Sequence, residues 1–503
     1  MYIPGNFSLF NAQRGLIAAQ TGLNVIGHNI SNANTPGYSR QQIVQVTENP
    51  YSIPGLSGPL NGLQLGQGPI VQGISRIRDV YLDRSFRAEN STLGFNAQQK
   101  STLGRIESFV GEPSDNGINT SLQAFFSAAQ QLSQNPENAA ARTSFMQRAG
   151  DMVNTFKDNA TQLDNLQLEL VGRGSVAGSI ASSRLGVGIS EVNSQLAGVA
   201  DLNRQILSVV SAGGQANDLM DQRDQILDQL SKKIDITVDN TANNQVNVTI
   251  AGHLMVSGVQ QLDSLQAVAN PAAAPASEFT PTLIQTVTAP ATDITNVIKG
   301  GELKAYVDVA GNASPGQTTV RGLLVNLDTL LGAVVSQVNA LQAGGRDLTG
   351  ATPVAPNDQI IVPPAVTPPL AIFGYTANSN IVANPNLLAA ASGAGAFAGP
   401  GDGRNALALA QLKTTGLVAG VKFDQYLNST LSSLGVDASQ YNSRYAAQNN
   451  AVNNVDQQRQ SVSGVNADQE AVDLVRYQRA FEASSKMVKT FDQMMESILS
   501  IVQ

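Results

Sequence analysis

The chain of 503 residues contains no cysteine, no tryptophan and only two histidines. Without cysteine it cannot form disulfides, thiolate metal sites or a cysteine nucleophile. Charged residues make up 14% of the chain, and the net charge is −8. That charged fraction is well below the roughly 25% of an average soluble domain. The sequence also has no run of lysines and arginines of the kind that meets phosphates, so nucleic acid is not an expected partner.

Several other signals are missing from the sequence. No run of about 18 apolar residues is present, so no membrane insertion is predicted. The first residues lack the basic and apolar regions of a cleaved secretion signal. No glycine-rich phosphate loop lies between a strand and a helix. Because His28 and His253 lie in a predicted helix and a predicted strand, we expect both to be structural. We therefore predict no catalytic residue, no cofactor and no metal site, and a protein that is not an enzyme.

Both ends of the chain carry apolar residues at intervals of seven, with companions three positions later, which is the pattern of a coiled-coil helix. The N-terminal helix is predicted over residues 6–30, and the C-terminal helix extends for about 48 Å. The residues of the N-terminal stripe that we assign to assembly are Leu9, Leu16, Leu23, Ile26 and Ile30. Those of the C-terminal stripe are Leu474, Tyr477, Phe481, Val488, Phe491, Met495 and Ile498.

A narrow apolar stripe needs a partner helix, and the two terminal helices are expected to pack on each other. Their remaining faces carry amides and small polar side chains, and no acidic residue precedes Glu48. Amides are buried at lower cost than charges. One interpretation is that neighbouring copies or neighbouring proteins bury these faces. The other is an intramolecular bundle with a polar surface. Under the first, we predict that both terminal helices are disordered in the monomer.

A helix-breaking cluster follows the N-terminal helix and forms a predicted elbow. Pro36 forbids continuation of the helix and Gly37 permits a positive φ. The elbow would redirect the chain out of an inner layer; the alternative is an ordinary helix stop. The residues of the elbow are Asn29, Asn32, Asn34, Thr35, Pro36, Gly37 and Tyr38.

Between the two ends, the sequence predicts an α+β fold with an interrupted helical block. Residues 48–75 are rich in proline and glycine and are predicted to be an extended arm. Helices are predicted over residues 77–230, with turns at Asn135-Pro136 and Gly213-Gly214. Alternation over residues 234–250 predicts a half-buried antiparallel strand pair. The charged cluster of Asp221, Arg223 and Asp224 is expected to be a solvated helix face.

These elements suggest three nested domains. Residues 1–38 and 465–503 are predicted to be terminal coiled-coil segments of an inner core. Residues 39–232 and 376–464, with a helix at 320–341, are predicted to form a helical bundle. Residues 233–319 and 342–375 are predicted to form a small β-rich outer domain.

Two long motifs then resemble a known family. Residues 23–38, Leu-Asn-Val-Ile-Gly-His-Asn-Ile-Ser-Asn-Ala-Asn-Thr-Pro-Gly-Tyr, closely resemble the N-terminal signature of flagellar rod, hook and hook-associated proteins. Residues 465–486 resemble the matching C-terminal signature. The segments that are similar to the family of first hook-associated proteins, which join hook to filament, are 217–230, 300–303, 401–412 and 459–464.

The resemblance implies a structural role in the bacterial flagellum. In such proteins the terminal helices form an inner coiled coil, and a cytoplasmic chaperone holds the C-terminal region before export. The flagellar type III apparatus then exports the chain unfolded. The implied product is a homo-oligomeric ring at the hook–filament junction, outside the cell, between hook protein and a filament-side junction protein.

Three alternatives remain open at this point. The chain could be another axial subunit, either hook protein or the second junction protein. It could be a secreted peptidoglycan-active enzyme, which would need a catalytic insert in residues 262–400. It could also be an effector exported by a type III system.

Overall fold

The computed structural model describes most of the chain. The described residues are 6–48, 66–110, 117–174, 176, 178–269, 282–312, 318–354, 358–364, 370–418 and 420–502.

The two chain ends form a terminal duplex of two long helices. Helix α1 spans Asn6–Ser31 and helix α13 spans Ala467–Val502. The two helices run antiparallel, because α1 residues of rising number meet α13 residues of falling number. The prediction that the terminal helices pack on each other is therefore confirmed.

A β-hairpin lies along α1 and leads into the rest of the molecule. Strand β1 spans Gln41–Thr47 and pairs antiparallel with β2, Pro69–Arg76. The Asn11 side chain donates to the carbonyl of Gly66 at 3.1 Å, and that of Arg14 donates to the carbonyl of Gln67 at 2.8 Å. The extended-arm prediction was therefore wrong for residues 69–75, because the β-branched residues between the glycines form a strand that pairs with β1. Residues 49–65 of the predicted arm lie outside the described residues.

The helical block that follows contains the main core. Its turns at Asn135-Pro136 and Gly213-Gly214 are confirmed, since helices end at Gln134 and Ser211. The helices of this part are α2 (Val80–Val110), α3 (Ile118–Gln134), α4 (Ala139–Val171), α5 (Ser179–Ser182), α6 (Arg184–Ser211), α7 (Asn217–Lys233), α8 (Glu302–Val307), α9 (Val320–Gly344), α10 (Ser379–Ala383), α11 (Arg404–Gln411) and α12 (Phe423–Ser463).

Long aromatic side chains fill the centre of this block. Phe125, Phe145 and Phe156 are all fully buried, and the rings of Phe125 and Phe145 lie 5.1 Å apart. The start of α4 is capped by Asn138, whose side chain accepts hydrogen bonds from the amides of Ala140 and Ala141. Such a cap satisfies backbone donors that have no partner within the helix.

Helix α9 is the one described helix that is long and apolar enough to cross a membrane. In the structure it packs against α4 and α11, and its side chains Leu324, Leu331 and Val338 are buried in the common core. Its composition is therefore that of a core helix.

The strands are short and are distributed over several small sheets. A four-stranded antiparallel sheet contains β3 (Thr237–Asn240), β4 (Val246–Ile250), β5 (His253–Ser257) and β6 (Gln260–Gln261). Four further two-stranded sheets occur in the described part of the chain: β7 (Leu265–Ala269) with β8 (Thr282–Thr286), β9 (Gly345–Arg346) with β12 (Ala391–Ser392), β10 (Ile361–Val362) with β11 (Thr376–Ala377), and β13 (Gly416–Val418) with β14 (Val421–Lys422).

The predicted antiparallel pair after residue 234 is present, although it begins later than expected. Ile234 terminates α7, and the first strand starts at Thr237.

The fold class is α+β, as predicted. Buried strand residues such as Val248 and Ile284 belong to the same core cluster as the helices. The division into three domains stays a prediction.

Candidate assembly interface

On α1, two glycines and one asparagine face α13. Gly15, Gly22 and Asn29 recur at intervals of seven on α1. A side-chain carbon at Gly22 would lie 2.7 Å from the Tyr477 ring, and one at Gly15 would lie 2.8 Å from Oγ of Ser484. A side chain at Gly22 would therefore clash with the Tyr477 ring, whereas one at Gly15 would meet only the rotatable hydroxyl of Ser484.

The predicted N-terminal stripe lies beside this contact rather than at its centre. Leu9, Leu16 and Leu23 are half-buried, Ile26 is buried and Ile30 is exposed. Leu16 and Leu23 each follow by one residue a glycine that contacts α13, Gly15 and Gly22. Periodicity identified the helix correctly, but it could not show that glycine would occupy the closest positions.

The predicted C-terminal stripe is only partly covered. Five of its residues are half-buried: Leu474, Tyr477, Phe481, Val488 and Phe491. Met495 is half-exposed, and the side chain of Ile498 lies outside the described residues. The role of these residues in assembly stays a prediction.

The duplex also presents apolar side chains to solvent. On α1, Phe10 is 56% exposed and Ile17 is 52% exposed. The corresponding residues on α13 are Val472, Val475, Met487, Met494 and Met495. These side chains are candidate contacts for a partner, since exposed apolar surface often marks an interaction site.

Asn29 organises the elbow at the end of α1. Its amide Nδ2 donates to the carbonyl of Gln41 at 2.9 Å and to Oε2 of Glu470 at 3.0 Å. Its Oδ1 accepts from the amide of Gln41 at 3.0 Å and from the hydroxyl of Tyr38 at 2.8 Å. This buried side chain thus satisfies all its hydrogen-bonding groups while joining α1, the elbow, β1 and α13.

Tyr38 closes the elbow against α1. Its hydroxyl also lies 3.0 Å from Nδ1 of His28. Burial raises the pKa of Tyr38, and the negative charges of Asp218, Asp221 and Glu470 raise it further. The phenol therefore stays protonated and keeps donating to Asn29.

The remaining elbow residues form an exposed turn. Gly37 adopts a φ of +82°, which favours glycine at this position. Thr35 Oγ1 donates to Oδ1 of Asn32 at 3.2 Å, and the Asn32 amide group donates to the carbonyl of His28. Asn34 and Pro36 are exposed.

An ion pair fixes the first turn of α13 to the residue after the elbow. Arg40 Nε lies 2.5 Å from Oε1 of Glu470, and Arg40 Nη2 lies 3.2 Å from Oδ2 of Asp473. Glu470 is only 1% exposed. Removing the charge of Arg40 would leave the buried Glu470 carboxylate without a counter-charge, which is strongly unfavourable.

The expectation of a solvated face at Asp221, Arg223 and Asp224 was wrong. All three side chains are buried, because arginines that are distant in sequence converge on this part of α7. Arg76 lies 2.7 Å from Asp221 and 3.0 Å from Asp224. Spacing within α7 could not reveal these partners.

This buried ionic cluster joins the terminal elements to the helical block. Ser39, just after the elbow, donates to Asp221 through both its amide and its hydroxyl. The arginines of the cluster come from five parts of the chain: β2, the link between β2 and α2, α2, α7 and α12. In that order they are Arg76, Arg78, Arg87, Arg223 and Arg459. Its aspartates are Asp83, Asp221, Asp224, Asp228 and Asp456.

Within the described part of the chain, no group of three or more histidine, aspartate or glutamate side chains is arranged to hold a metal ion.

Comparison with known families identifies the chain. A family profile described as "Flagellar hook-associated protein FlgK helical domain" matches residues 103–355, slightly more than half of the sequence. The chain belongs to the FlgK family of flagellar hook-associated proteins. Two further profiles match its ends: "Flagella basal body rod protein" at residues 9–38 and "Flagellar basal body rod FlgEFG protein C-terminal" at residues 456–501.

Relatives in this family match over almost the whole chain. Flagellar hook-associated protein 1 of Bacillus subtilis is 25% identical, covering 98% of this chain and 97% of the relative. Flagellar hook-associated protein 1 of Salmonella typhimurium is 26% identical, covering 98% of this chain and all of the relative. The protein of the same name from Escherichia coli is also 26% identical.

A solved structure shares the fold. The flagellar hook junction protein FlgK from Burkholderia pseudomallei superposes with a TM-score of 0.63 at 17% identity, covering 76% of this chain and all of that chain. The family resemblance read from the two terminal signatures and the internal segments is confirmed. The chain is a structural protein of the bacterial flagellum, associated with the hook.

Proposed function

We propose that this chain is the hook–filament junction subunit that links the hook to the filament-side junction protein. In this role it forms a homo-oligomeric ring, with the terminal duplex in an inner layer and the helical block around it. The small sheets occupy the outer part. We assign the chain no catalytic reaction.

The observation that carries this proposal is the incomplete burial of the terminal duplex. On one side, its two helices pack against each other at Gly15 and Gly22 and are joined by the hydrogen bond from Asn29. On the other sides, Phe10 and Ile17 remain exposed on a helix that carries a single charged side chain, Arg14. Such a surface carries little charge, so neighbouring subunits can cover it without a large desolvation cost. The contacts around the ring would be head to tail, because the two sides of the duplex differ.

The order of events follows from the same surface. We propose that the chain is exported unfolded by the flagellar type III apparatus after a cytoplasmic chaperone has held its C-terminal region. Before assembly, α1 and α13 lack the neighbours that would cover them, and they are disordered in the monomer. Hydrogen exchange on purified monomer tests this: amides of 474–502 should exchange fast, whereas strong protection there would contradict it.

Deletion of the gene followed by electron microscopy tests the assigned role. The junction role predicts complete hooks without filaments and release of filament protein into the medium. Missing hooks would instead indicate a rod or hook subunit, and unchanged motility would indicate an exported effector. A muramidase activity that depends on acidic residues in 262–400 would favour a peptidoglycan-active enzyme.

A point variant tests the exposed face directly. Ile17→Asp places a charge on the exposed face of α1 and should leave secretion intact while preventing filament growth. Val436→Asp is the matched control, since Val436 is an exposed aliphatic side chain on α12, outside the duplex. Equal filament growth in both variants would contradict the assignment of this face to assembly.

A further inference from the structure

Three methionines of α13 are exposed, whereas the other methionines that the structure describes are buried. The exposed fractions are 52% for Met487, 53% for Met494 and 50% for Met495. The buried methionines, at most 9% exposed, belong to the helical block and its sheets: Met146, Met152, Met220 and Met255. Met1, the eighth methionine of the chain, lies outside the described residues. Within the described residues, the exposed thioethers are therefore confined to the terminal duplex.

These three thioethers are the groups that an oxidant reaches first. The chain has no cysteine and no tryptophan, so no thiol or indole competes with methionine for oxidants. In the reaction with a hydroperoxide, the sulfur lone pair attacks one oxygen, the O–O bond breaks and an S–O bond forms. The sulfur is oxidised by two electrons. The other peroxide oxygen takes up the proton and leaves as water or an alcohol.

The position of these methionines makes the reaction consequential. Met487, Phe491 and Met494 are spaced by four and three residues, so they lie on one face of α13. Phe491 is half-buried, and the thioethers on either side of it are more exposed. Methionine suits a surface that a partner covers later, because its flexible apolar side chain adapts to the partner. A sulfoxide is polar, and burying its oxygen without a hydrogen-bond donor is unfavourable.

We propose that Met487, Met494 and Met495 are oxidation sites that control incorporation of the chain into the flagellum. A hydroperoxide oxidises them before assembly, and the oxidised chain is not incorporated. After assembly, a neighbouring copy of the chain covers them and protects them. The order of oxidation follows from exposure alone, whereas the effect on incorporation rests on the proposed function. Disorder of α13 in the monomer would expose the same sulfurs, so the order does not depend on helix pairing.

Peptide mass spectrometry of the purified full-length chain during treatment with hydrogen peroxide tests the order of oxidation. The methionines of α13 should form sulfoxide at least about tenfold faster than Met220, because a buried sulfur reacts only during local opening. Met220 is the strictest comparison, since at 9% it is the most exposed of the buried set. Equal rates at Met220 and on α13 would overturn the assignment of the sites.

Restoration of filaments tests the effect on incorporation. Purified chain is added to cells that lack its gene and carry complete hooks, and filaments are counted by electron microscopy. Chain oxidised on α13 should restore about tenfold fewer filaments than untreated chain, because each sulfoxide would be buried without a partner. Methionine sulfoxide reductases that act on both sulfoxide epimers should return it to full activity. Their dithiol reductant cannot alter a chain without cysteine. Equal restoration by oxidised and untreated chain would overturn the proposal.

A triple leucine variant identifies the sulfurs responsible. Met487→Leu/Met494→Leu/Met495→Leu keeps the size and apolar character of the side chains. It should restore filaments equally before and after peroxide treatment. Met220→Leu is the matched control, because it removes a buried sulfur and should stay as sensitive as the natural chain. A triple variant that remains sensitive to peroxide would contradict the proposal. If the triple variant does not assemble at all, repair of the natural chain by the reductases decides the question.

Failure of the proposed function would give a different result. Untreated chain that restores no filaments would contradict the junction role and, with it, the effect of oxidation on incorporation. The order of oxidation in the purified chain would still hold. In intact flagella the same three methionines should resist peroxide, and oxidation there as fast as in the purified chain would contradict their burial by a neighbour.

Discussion

The terminal duplex and the helical block show the same heptad-like apolar periodicity in sequence, but the structure buries them to very different extents. In the block, Phe125, Phe145 and Phe156 are completely removed from solvent, because helices and small sheets cover them on every side. In the duplex, Phe481 and Leu474 remain half-buried, because only one partner helix is present. Periodicity thus predicts a helix, whereas the number of surrounding layers decides how much the stripe contributes to the stability of the single chain.

The two regions also bury polar groups differently. The block contains an ionic cluster in which Asp224 meets four arginines. At the contact between its helices, the duplex buries Asn29 and Glu470, both at 1% exposure. A buried polar pair among apolar contacts can fix the register of a coiled coil at a cost in stability. The block is therefore built for stability of the single chain, and the duplex for a defined alignment.

Truncating one aromatic residue in each region gives the largest contrast. Phe145→Ala should lower the free energy of unfolding of the isolated chain by about 3–5 kcal/mol, because it leaves a cavity in a fully packed core. Phe481→Ala should lower it by less than about 1 kcal/mol, because the terminal helices are proposed to be disordered in the isolated chain and the ring then contributes little to its stability. Denaturant unfolding monitored by circular dichroism measures both.

In filament assembly, unlike in stability of the isolated chain, we expect Phe481→Ala to have the larger effect of the two variants. Phe481→Ala is expected to impair filament growth although the isolated chain remains stable. A loss of stability in Phe481→Ala as large as that in Phe145→Ala would show that the duplex is a fixed part of the monomer core, contrary to the comparison drawn above.

The buried ionic cluster should give the next largest effect. Asp224→Asn should destabilise the chain by about 3 kcal/mol, since several arginines would lose their central counter-charge. Burial alone would raise the pKa of Asp224, but Arg78, Arg223, Arg76 and Arg87 together lower it from 3.8 to about 2. Asp201→Asn, an exposed aspartate paired with Arg204, is the control and should change little.

The acid dependence of stability checks the same interpretation. Because the folded-state pKa of Asp224 is lowered, its stabilising contribution is fully present above about pH 4 and is lost as the pH falls towards 2. The difference in free energy of unfolding between the natural chain and Asp224→Asn should therefore shrink over that range. A difference that stays constant from pH 6 to pH 2 would contradict the predicted titration.

The sequence predicted the elements of both regions because their signals are local. Helix α1, the stop after Ser31 and the turns at Asn135-Pro136 and Gly213-Gly214 all follow from short-range periodicity and helix breakers. The hairpin strand 69–76 escaped prediction, because its proline and glycines resemble a loop until a partner strand is known.

The long-range features could not be predicted in this way. The burial of Asp221 depends on Arg76, and that of Glu470 depends on Asn29 and Arg40. These partners lie more than a hundred residues away, and no spacing rule connects them. The closest approach of α1 to α13 was also missed, because glycine carries no apolar signal and periodicity assigned the adjacent leucines instead.

Two glycines on α1 test how tightly the duplex is aligned. The chain has no cysteine, and a Cβ at Gly15 would lie 3.8 Å from Cβ of Ser484, a suitable separation for a disulfide. The double variant Gly15→Cys/Ser484→Cys therefore reports helix pairing through its disulfide yield in flagella. Adding Gly22→Ala should lower that yield, since the methyl group would clash with the Tyr477 ring at a cost of about 1–3 kcal/mol.

Gly27→Ala provides the matched control on the same helix. A Cβ at Gly27 meets nothing within 4 Å, so the added methyl group should slightly favour the helix and leave the disulfide yield unchanged or higher. An equal loss of yield in both variants would mean that helix propensity, rather than the contact with Tyr477, controls pairing.

The smallest effect is expected at a surface ion pair of the helical block. Arg105 forms a two-point contact with Glu169 at 3.0 and 2.6 Å, but both side chains are more than one third exposed. Arg105→Met should change the free energy of unfolding by less than about 1 kcal/mol, because water screens the pair and the aliphatic part of the side chain is retained. A larger loss would mean that the stability of the block also depends on its surface ion pairs. The larger effect expected for Asp224→Asn would then reflect the number of arginines around Asp224 rather than their burial.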